Sequence, residues 1–254
     1  MIITSIHNNL VKEICGLKEK KEQALAGLFL VEGKKAIDEV KNDWKIKYIF
    51  VSESFKDSID YDAEIIVVSD KVLKKISSSQ TPQGIIAVVE KKKFIIADIL
   101  NNGKNFIVLE NISDPGNLGT LIRCADAFDM SAVFISKTSA NLYSDKTIRA
   151  SMGSIFNIPA IDDIDIDELF AHLKKAKVAT FASSLKAKTS LTKLKLLEKS
   201  AFFIGSESAG LKKETIAKCD FEFKIDMDGK AQSLNAAIAG AIVMYEIRKE
   251  KIGK

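Results

Sequence analysis

The feature that most constrains this chain is a series of short, predominantly apolar segments separated by helix-length stretches over its C-terminal two-thirds. Phe106–Leu109, Val133–Ile135, Val178–Ala182, Phe202–Ile204 and Phe221–Ile225 read as strands. Residues 117–129, 144–155, 166–175, 213–218 and about 234–249 read as helices between and after them. Strands with no polar alternation are buried on both faces, and strands that alternate with helices build a mainly parallel sheet. The fold class expected is therefore α/β. In such sheets ligands bind where loops leave the carboxyl ends of the strands.

The first ~90 residues carry a second pattern. Residues 8–26 read as helical, Phe29–Glu32 as a strand and Lys34–Val40 as a helix. Ile46–Val51, Ile65–Val68 and Ile85–Val89 are further strands, with a helical stretch at 70–76 and a turn at Thr81-Pro-Gln-Gly84. The charged run Glu90-Lys-Lys-Lys93 reads equally as a linker or as a solvated strand end. Taken as a linker, it predicts a smaller N-terminal α/β domain over 1–93, a larger domain over 94–254, and a fragment 95–254 that folds alone.

Composition narrows the function. No apolar run reaches about 18 residues, so no membrane helix is expected. The N-terminus lacks the pattern of a signal peptide. Cys15, Cys124 and Cys219 are too few and too widely spaced for a disulfide framework or a zinc site, which fits a reducing cytoplasm. His7 and His172 stand in unrelated contexts, which argues against a His-based triad or a multi-His metal site. The net charge of +4 is compatible with a nucleic-acid partner without requiring one. Of the 38 basic residues only Arg123, Arg149 and Arg248 are Arg. Lys cannot replace Arg where a planar, bidentate donor is needed, so each Arg is a candidate for a specific role.

Three loops carry unusual residues. Glu110-Asn-Ile-Ser-Asp-Pro-Gly-Asn-Leu-Gly-Thr-Leu-Ile-Arg-Cys-Ala125 follows a buried strand and opens a helix whose apolar stripe is Leu118, Leu121, Ile122 and Ala125. Arg123 lies off that stripe, as an exposed helix cation or as a guanidinium that a ligand can approach across small residues. Gly116-Asn-Leu-Gly119 lacks the full glycine fingerprint of a dinucleotide site. In Phe203-Ile-Gly-Ser-Glu-Ser-Ala-Gly-Leu211 a strand runs straight into Gly205, and Glu207 can accept hydrogen bonds or cap a turn. In the third loop, Ile225 to Asn235, Ser233 is placed as a helix N-cap, with Asn235 expected buried beside it. The helix that follows is packed with Ala236, Ala237, Ala239, Gly240 and Ala241. Such residues permit close backbone approach within the subunit or across a dimer contact at Ala237 and Gly240.

Together and in this order, the loops resemble the SpoU (TrmH) family of RNA ribose methyltransferases in the knotted SPOUT superfamily. The matching residues are Asn117-x-Gly119-x-x-x-Arg123-x-Ala125, then Gly205-Ser206-Glu207-x-x-Gly210-Leu211, then Ile225-x-Met227-x-Gly229 with Ser233-Leu234-Asn235. Ser144–Ser154 resembles the family's segment between the first two motifs. Phe29-Leu-Val-Glu-Gly33 and Thr81-Pro-Gln-Gly-Ile-Ile-Ala87 resemble the ribosomal-protein L30e-like substrate-binding domain fused to many members. Two positions depart from the family pattern: Asp226 stands where Pro is usual, and Gln232 where Glu is common.

The resemblance implies a C-terminal parallel-sheet domain with a deep trefoil knot, S-adenosyl-L-methionine as cofactor, no metal, and transfer of a methyl group to a ribose 2′-hydroxyl. It assigns Gly205, Ile225, Met227, Ser233 and Leu234 to the cofactor. It assigns Arg123, Asn117, Glu207, Ser233 and Asn235 to catalysis. The implied partners are RNA (23S ribosomal RNA first, transfer RNA as the alternative) and a second copy of the chain, joined through the C-terminal domain, with no membrane. A non-catalytic RNA-binding protein on the same scaffold is the competing reading, and the intact motif residues argue against it.

Overall fold

A computed structural model describes residues 2–41, 43–206 and 209–252, the side chains of 250–252 excepted. In chain order the elements are α1 (Asn9–Gly16), α2 (Lys20–Ala26), β1 (Leu28–Glu32), α3 (Lys34–Asp38), β2 (Ile46–Ser52), β3 (Glu64–Val68), α4 (Asp70–Ile76) and β4 (Ile85–Glu90). They continue as α5 (Ile96–Asn102), β5 (Asn105–Leu109), α6 (Pro115–Ala127), β6 (Ala132–Ser136), α7 (Asp145–Ser151), β7 (Ala160–Ile164) and α8 (Ile166–Lys175). The last are β8 (Ala179–Ser183), β9 (Ser200–Ile204), α9 (Lys213–Lys218), β10 (Phe221–Phe223) and α10 (Ala236–Ile252). They form two units. One comprises residues 1–93 with Tyr143–Phe156; the other comprises 94–142 and 157–254. The sequence break after Lys93 coincides with a boundary, but Tyr143–Phe156, expected in the C-terminal domain, packs with the N-terminal unit.

The first unit is built on a four-stranded sheet of order β1-β4-β2-β3, antiparallel except for the β2–β3 pair. Period-2 alternation sorts its residues to two faces. Leu28, Phe50, Val68, Ile86 and Val88 pack with Val11 and Ile14 of α1 and Val72, Leu73 and Ile76 of α4. Phe29, on the other face, joins an aromatic cluster. Its ring centroid lies 4.4 Å from Tyr143 and 6.0 Å from Trp44, and Trp44 meets Phe156 edge-on at 5.3 Å. Trp44 Nε1 donates to the Phe156 carbonyl at 3.1 Å and Gln23 Nε2 to the Tyr143 carbonyl at 3.1 Å. Burial of each such ring contributes about 1.5–3 kcal/mol towards holding a 14-residue segment supplied from far along the chain.

The second unit is a six-stranded, wholly parallel sheet of order β10-β8-β9-β5-β6-β7. All five residues of β5, β6 and β9 are buried, as expected of strands covered on both faces. One face packs Phe106, Val108, Phe134 and Phe203 against Leu169 and Leu173 of α8. Because every strand runs the same way, the loops after β5, β8, β9 and β10 all leave one edge of the sheet.

Several local expectations need correction. The helix expected over 8–26 is broken at Leu17–Glu19. That over 144–155 ends at Ser151, because Met152 takes a left-handed φ of 49° and Gly153 a φ of 84° before a 3-10 turn at Ser154–Phe156. β7 escaped the sequence reading. It is an edge strand whose Asp162 and Asp163 interrupt the apolar run, and Asp163 sits at φ 57° beside a register shift against β6. The strand expected over Phe221–Ile225 ends at Phe223.

Candidate active site

The first loop turns into α6 through Asp114, the N-cap, whose side chain accepts from Asn117 N at 2.9 Å, with Pro115 at the first helical position. Leu118, Leu121, Ile122 and Ala125 are buried as their spacing predicts. Arg123 is exposed on the opposite side with Thr120 and Ala127, and has no ion-pair partner among the described residues. Its guanidinium is thus available to an incoming anionic or developing negative charge.

The second loop leaves β9 at Gly205, which is buried. A Cβ built there would lie closer than 3.0 Å to the Gly210 carbonyl carbon and to Leu211 N. The loop's own backbone folding back is therefore enough to require glycine there. Gly210 N donates to the Ser206 carbonyl at 2.9 Å and closes the turn. Gly210 itself has a φ of 68°. Glu207 lies outside the described residues.

The third segment follows β10 without regular structure until α10. Its first stretch is stitched to the loop after β8. Leu191 N donates to Lys224 O at 2.8 Å and Lys224 N to Thr189 O at 2.9 Å, and Ser190 Oγ donates to Asp226 Oδ2. The residue that departs from the family pattern at 226 thus has a specific partner. Asn235, not Ser233, caps α10: its Oδ1 accepts from Ala237 N at 2.9 Å and Ile238 N at 3.2 Å. Asn235 is also exposed rather than buried, because a cap must stand outside the helix it closes. Its Nδ2 donates to Asn117 Oδ1 at 3.2 Å.

The small residues of α10 serve packing inside the subunit. A Cβ on Gly240 would collide with the Leu121 side chain of α6, and Ala236 and Ala237 are buried. This removes Gly240 and Ala237 as candidate dimer contacts. The apolar residues α10 leaves outside are Ile238 (54% exposed) and Tyr245 (53%).

Gly205, Ile225, Met227, Ser233 and Leu234 all line one cleft of about 490 Å³ at the carboxyl edge of the sheet. Its walls are largely apolar, with Ile204, Leu211, Ile216 and Phe223 at its base and Lys186, Lys213 and Lys224 around it. The sequence reading missed the wall formed by Ser183–Lys186 after β8. The lone apolar residue of Ser183-Ser-Leu-Lys186, Leu185, is the sequence signal that could have found it, and it is 64% exposed on that wall. Asn117, Arg123 and Asn235 lie outside the lining; Asn117 and Asn235 are joined by the hydrogen bond above. An apolar slot of this size with loop backbone along it fits an adenosine-containing ligand. No group of three His, Cys, Asp or Glu side chains converges among the described residues. Cys219 is largely buried, and that burial pushes its thiol up to about 12, so it is not a nucleophile at neutral pH.

Comparison with known proteins agrees with this geometry. Residues 104–245 match the SpoU rRNA Methylase family, and residues 8–87 match the MRM3-like substrate binding domain. The chain is 30% identical over 249 residues to the 23S rRNA (guanosine(2553)-2'-O)-methyltransferase of Bacillus subtilis (strain 168), covering 97% of this chain and 98% of that protein. It is 25% identical to the 23S rRNA (uridine(2479)-2'-O)-methyltransferase of Streptomyces viridochromogenes over 93% of this chain and 88% of that one. Its structure superposes on an AdoMet-bound rRNA methyltransferase from Sinorhizobium meliloti with a TM-score of 0.86 at 28% identity, over 98% of both chains. With the family's model spanning more than half of its length, the chain belongs to the SpoU rRNA methylase family.

Proposed function

We propose that this protein methylates a ribose 2′-hydroxyl of 23S ribosomal RNA, using S-adenosyl-L-methionine bound in the cleft described above. The observation that carries the reading is the convergence of two distant loops, through Gly205 and through Ile225, Met227, Ser233 and Leu234, on one apolar cleft. The relatives named for 23S rRNA 2′-O-methylation span nearly the whole chain and supply the substrate class.

The cofactor supplies a methyl group already activated on a sulfonium sulfur. In the transfer the 2′-oxygen would take that carbon as its bond to sulfur breaks, leaving the neutral thioether, and the hydroxyl proton would pass to solvent water. The protein must orient the 2′-oxygen and stabilise the charge that develops on it. Arg123 does the second as a fixed cationic donor; a guanidinium that stays protonated is not a base. Asn117 and Asn235, tied together, set the distance between α6 and the start of α10. Ser233 and Glu207 complete the same site.

Three further assignments belong to this reading. The second unit is knotted as a deep trefoil, supported by family membership. The protein is a homodimer through the C-terminal unit, supported by Ile238 and Tyr245 on one face of α10. The first unit is an L30e-like domain that docks the RNA in the cytoplasm, supported by its match to a substrate-binding domain. No helix among the described residues is long and apolar enough to cross a membrane.

The test is to supply purified protein with labelled S-adenosylmethionine and 23S or transfer RNA, then digest the product to nucleosides. A 2′-O-methylated nucleoside from 23S RNA supports the proposal. Label on transfer RNA redirects it, label on a base overturns the reaction type, and no label with bound cofactor points to an RNA-binding role alone.

A further inference from the structure

Glu110 is the first residue after β5, at the start of the first loop, and is only 1% exposed. A buried carboxylate is costly unless its oxygens are hydrogen-bonded, and both are. Oε2 accepts from Lys212 N at 3.1 Å, and Oε1 accepts from Thr215 Oγ1 at 2.9 Å. Its backbone N–H donates to the Ile204 carbonyl at 2.9 Å. Ile204 immediately precedes the Gly205–Leu211 loop, and Lys212 immediately follows it. One residue therefore holds both feet of that loop, its main chain on one and its side chain on the other. Glu110 does not line the cofactor cleft, whereas Gly205, Ser206, Ala209, Gly210 and Leu211 do.

We propose that Glu110 is a positioning residue for S-adenosylmethionine: it fixes the width of the Gly205–Leu211 loop and couples that loop to the segment leading to Asn117 and Arg123. The inference rests on the reading that the cleft holds this cofactor. Among the described residues the loop is otherwise held by Ala209 N donating to Ser206 Oγ at 3.3 Å, by the Ser206–Gly210 bridge and by burial of Leu211, and Gly205 and Gly210 contribute no side chains that could anchor it. The helix after it, α9, has no side-chain cap of its own at Lys212. The Glu110 carboxylate does that work from 102 residues away. These hydrogen bonds tie the two feet together, so their loss lets the feet of the loop part while the strands of the sheet stay paired.

The experiment measures cofactor Kd by calorimetry, KM for cofactor and for RNA, and Tm, on full-length wild type, Glu110→Gln, Glu110→Ala and Thr215→Val. Thr180→Val serves as control; it removes a comparable buried hydroxyl, bonded to Asp220 at 2.8 Å, away from the loop. Glu110→Ala is expected to weaken cofactor binding about tenfold or more and raise cofactor KM with little change in KM for RNA. Glu110→Gln, whose oxygen can accept from Lys212 N while its amide donates to Thr215 Oγ1, is expected to stay within about threefold of wild type. Thr215→Val should weaken binding severalfold, and Thr180→Val should lower Tm without moving Kd. Wild-type Kd in a folded Glu110→Ala variant overturns the proposal, as does a Gln variant as weak as Ala at equal Tm. If Glu110→Ala does not fold, an unchanged Kd in Thr215→Val overturns it. Failure of the wild type itself to bind the cofactor overturns the cleft reading instead.

Discussion

Asn235 donates from Nδ2 to Asn117 Oδ1 at 3.2 Å across 118 residues of sequence, while its own Oδ1 caps α10. One side chain thus serves two purposes, and substitutions can separate them. Asn235→Ala loses both and should cost about 1 kcal/mol of stability from the cap alone, together with activity. Asn235→Asp keeps an acceptor for the cap but offers no donor to Asn117. It is expected to retain most of the wild-type Tm while turnover falls. Equal turnover in the Asp variant would show that the Asn–Asn bond does not matter to the reaction.

Gly205→Ala should displace the loop that folds back on it. Forcing a methyl group into that space costs about 1–3 kcal/mol, and cofactor affinity should fall at least about tenfold as Gly210 and Leu211 move. Gly229→Ala is the contrast, because nothing lies within 4 Å of a Cβ built there. It should match wild type in both Tm and Kd. Calorimetry on the pair checks the argument.

Arg123→Ala should leave cofactor Kd nearly unchanged and cut turnover by roughly 10²–10³, the usual loss for one charge-stabilising donor. Arg123→Lys should recover only part of it, since a point charge does not reproduce the planar fork. Single-turnover rates at saturating cofactor are the measurement, and wild-type rates in the Ala variant would exclude Arg123 from the reaction.

Trp44 is the only tryptophan of the chain and lies edge-on to Phe156, which makes it a built-in reporter of the Tyr143–Phe156 segment. Phe156→Ala should cost about 3–5 kcal/mol and shift Trp44 emission to the red. The same packing bears on a fragment 94–254. Without Phe29 and Trp44, its Tyr143 and Phe156 have lost their aromatic partners, and such a fragment should bind a hydrophobic dye and be less soluble than the full chain.

Cys219 gives a pH-dependent prediction. Burial raises its thiol above the usual value, to about 12. The unfolded chain therefore ionises at a lower pH than the folded one, and this group's contribution to stability is present below about pH 9 and lost as pH rises from there toward 12. At pH 8 Cys219 of the folded protein should react with thiol reagents far more slowly than in the unfolded chain, because little of it is thiolate. Labelling read by peptide mapping, native against urea-unfolded, checks this; rapid native labelling at Cys219 contradicts it.

Much of this architecture was legible because burial leaves a direct mark on composition. Phe106–Leu109 and Phe202–Ile204 are apolar throughout and proved to be central strands. The cleft was legible as well, since Gly205, Ile225, Met227, Ser233 and Leu234 stand in motifs whose order is specific. What failed was local and had physical causes. β7 is an edge strand that carries two Asp residues, and edge strands need not be apolar. The cap of α10 was placed two residues early because Ser and Asn are both good caps, and sequence alone does not say which side chain reaches the free N–H groups. The crowding of Gly205 by Gly210 and Leu211 was not legible, because that return of the backbone depends on contacts that spacing does not encode.

The donation of Tyr143–Phe156 to the N-terminal unit sets an order of events during synthesis. Trp44 and Phe156 are 112 residues apart. A ribosome adding about 5–20 residues per second therefore makes the face of β1 that bears Phe29 wait roughly 6–20 s for its covering aromatic rings. For the last 66 residues of that interval, after Glu90 is made, the first four strands already exist with one side bare. Replacing the codons between 94 and 142 with slower ones lengthens the exposure without changing a single residue, and chaperone occupancy of the nascent chain should rise with it.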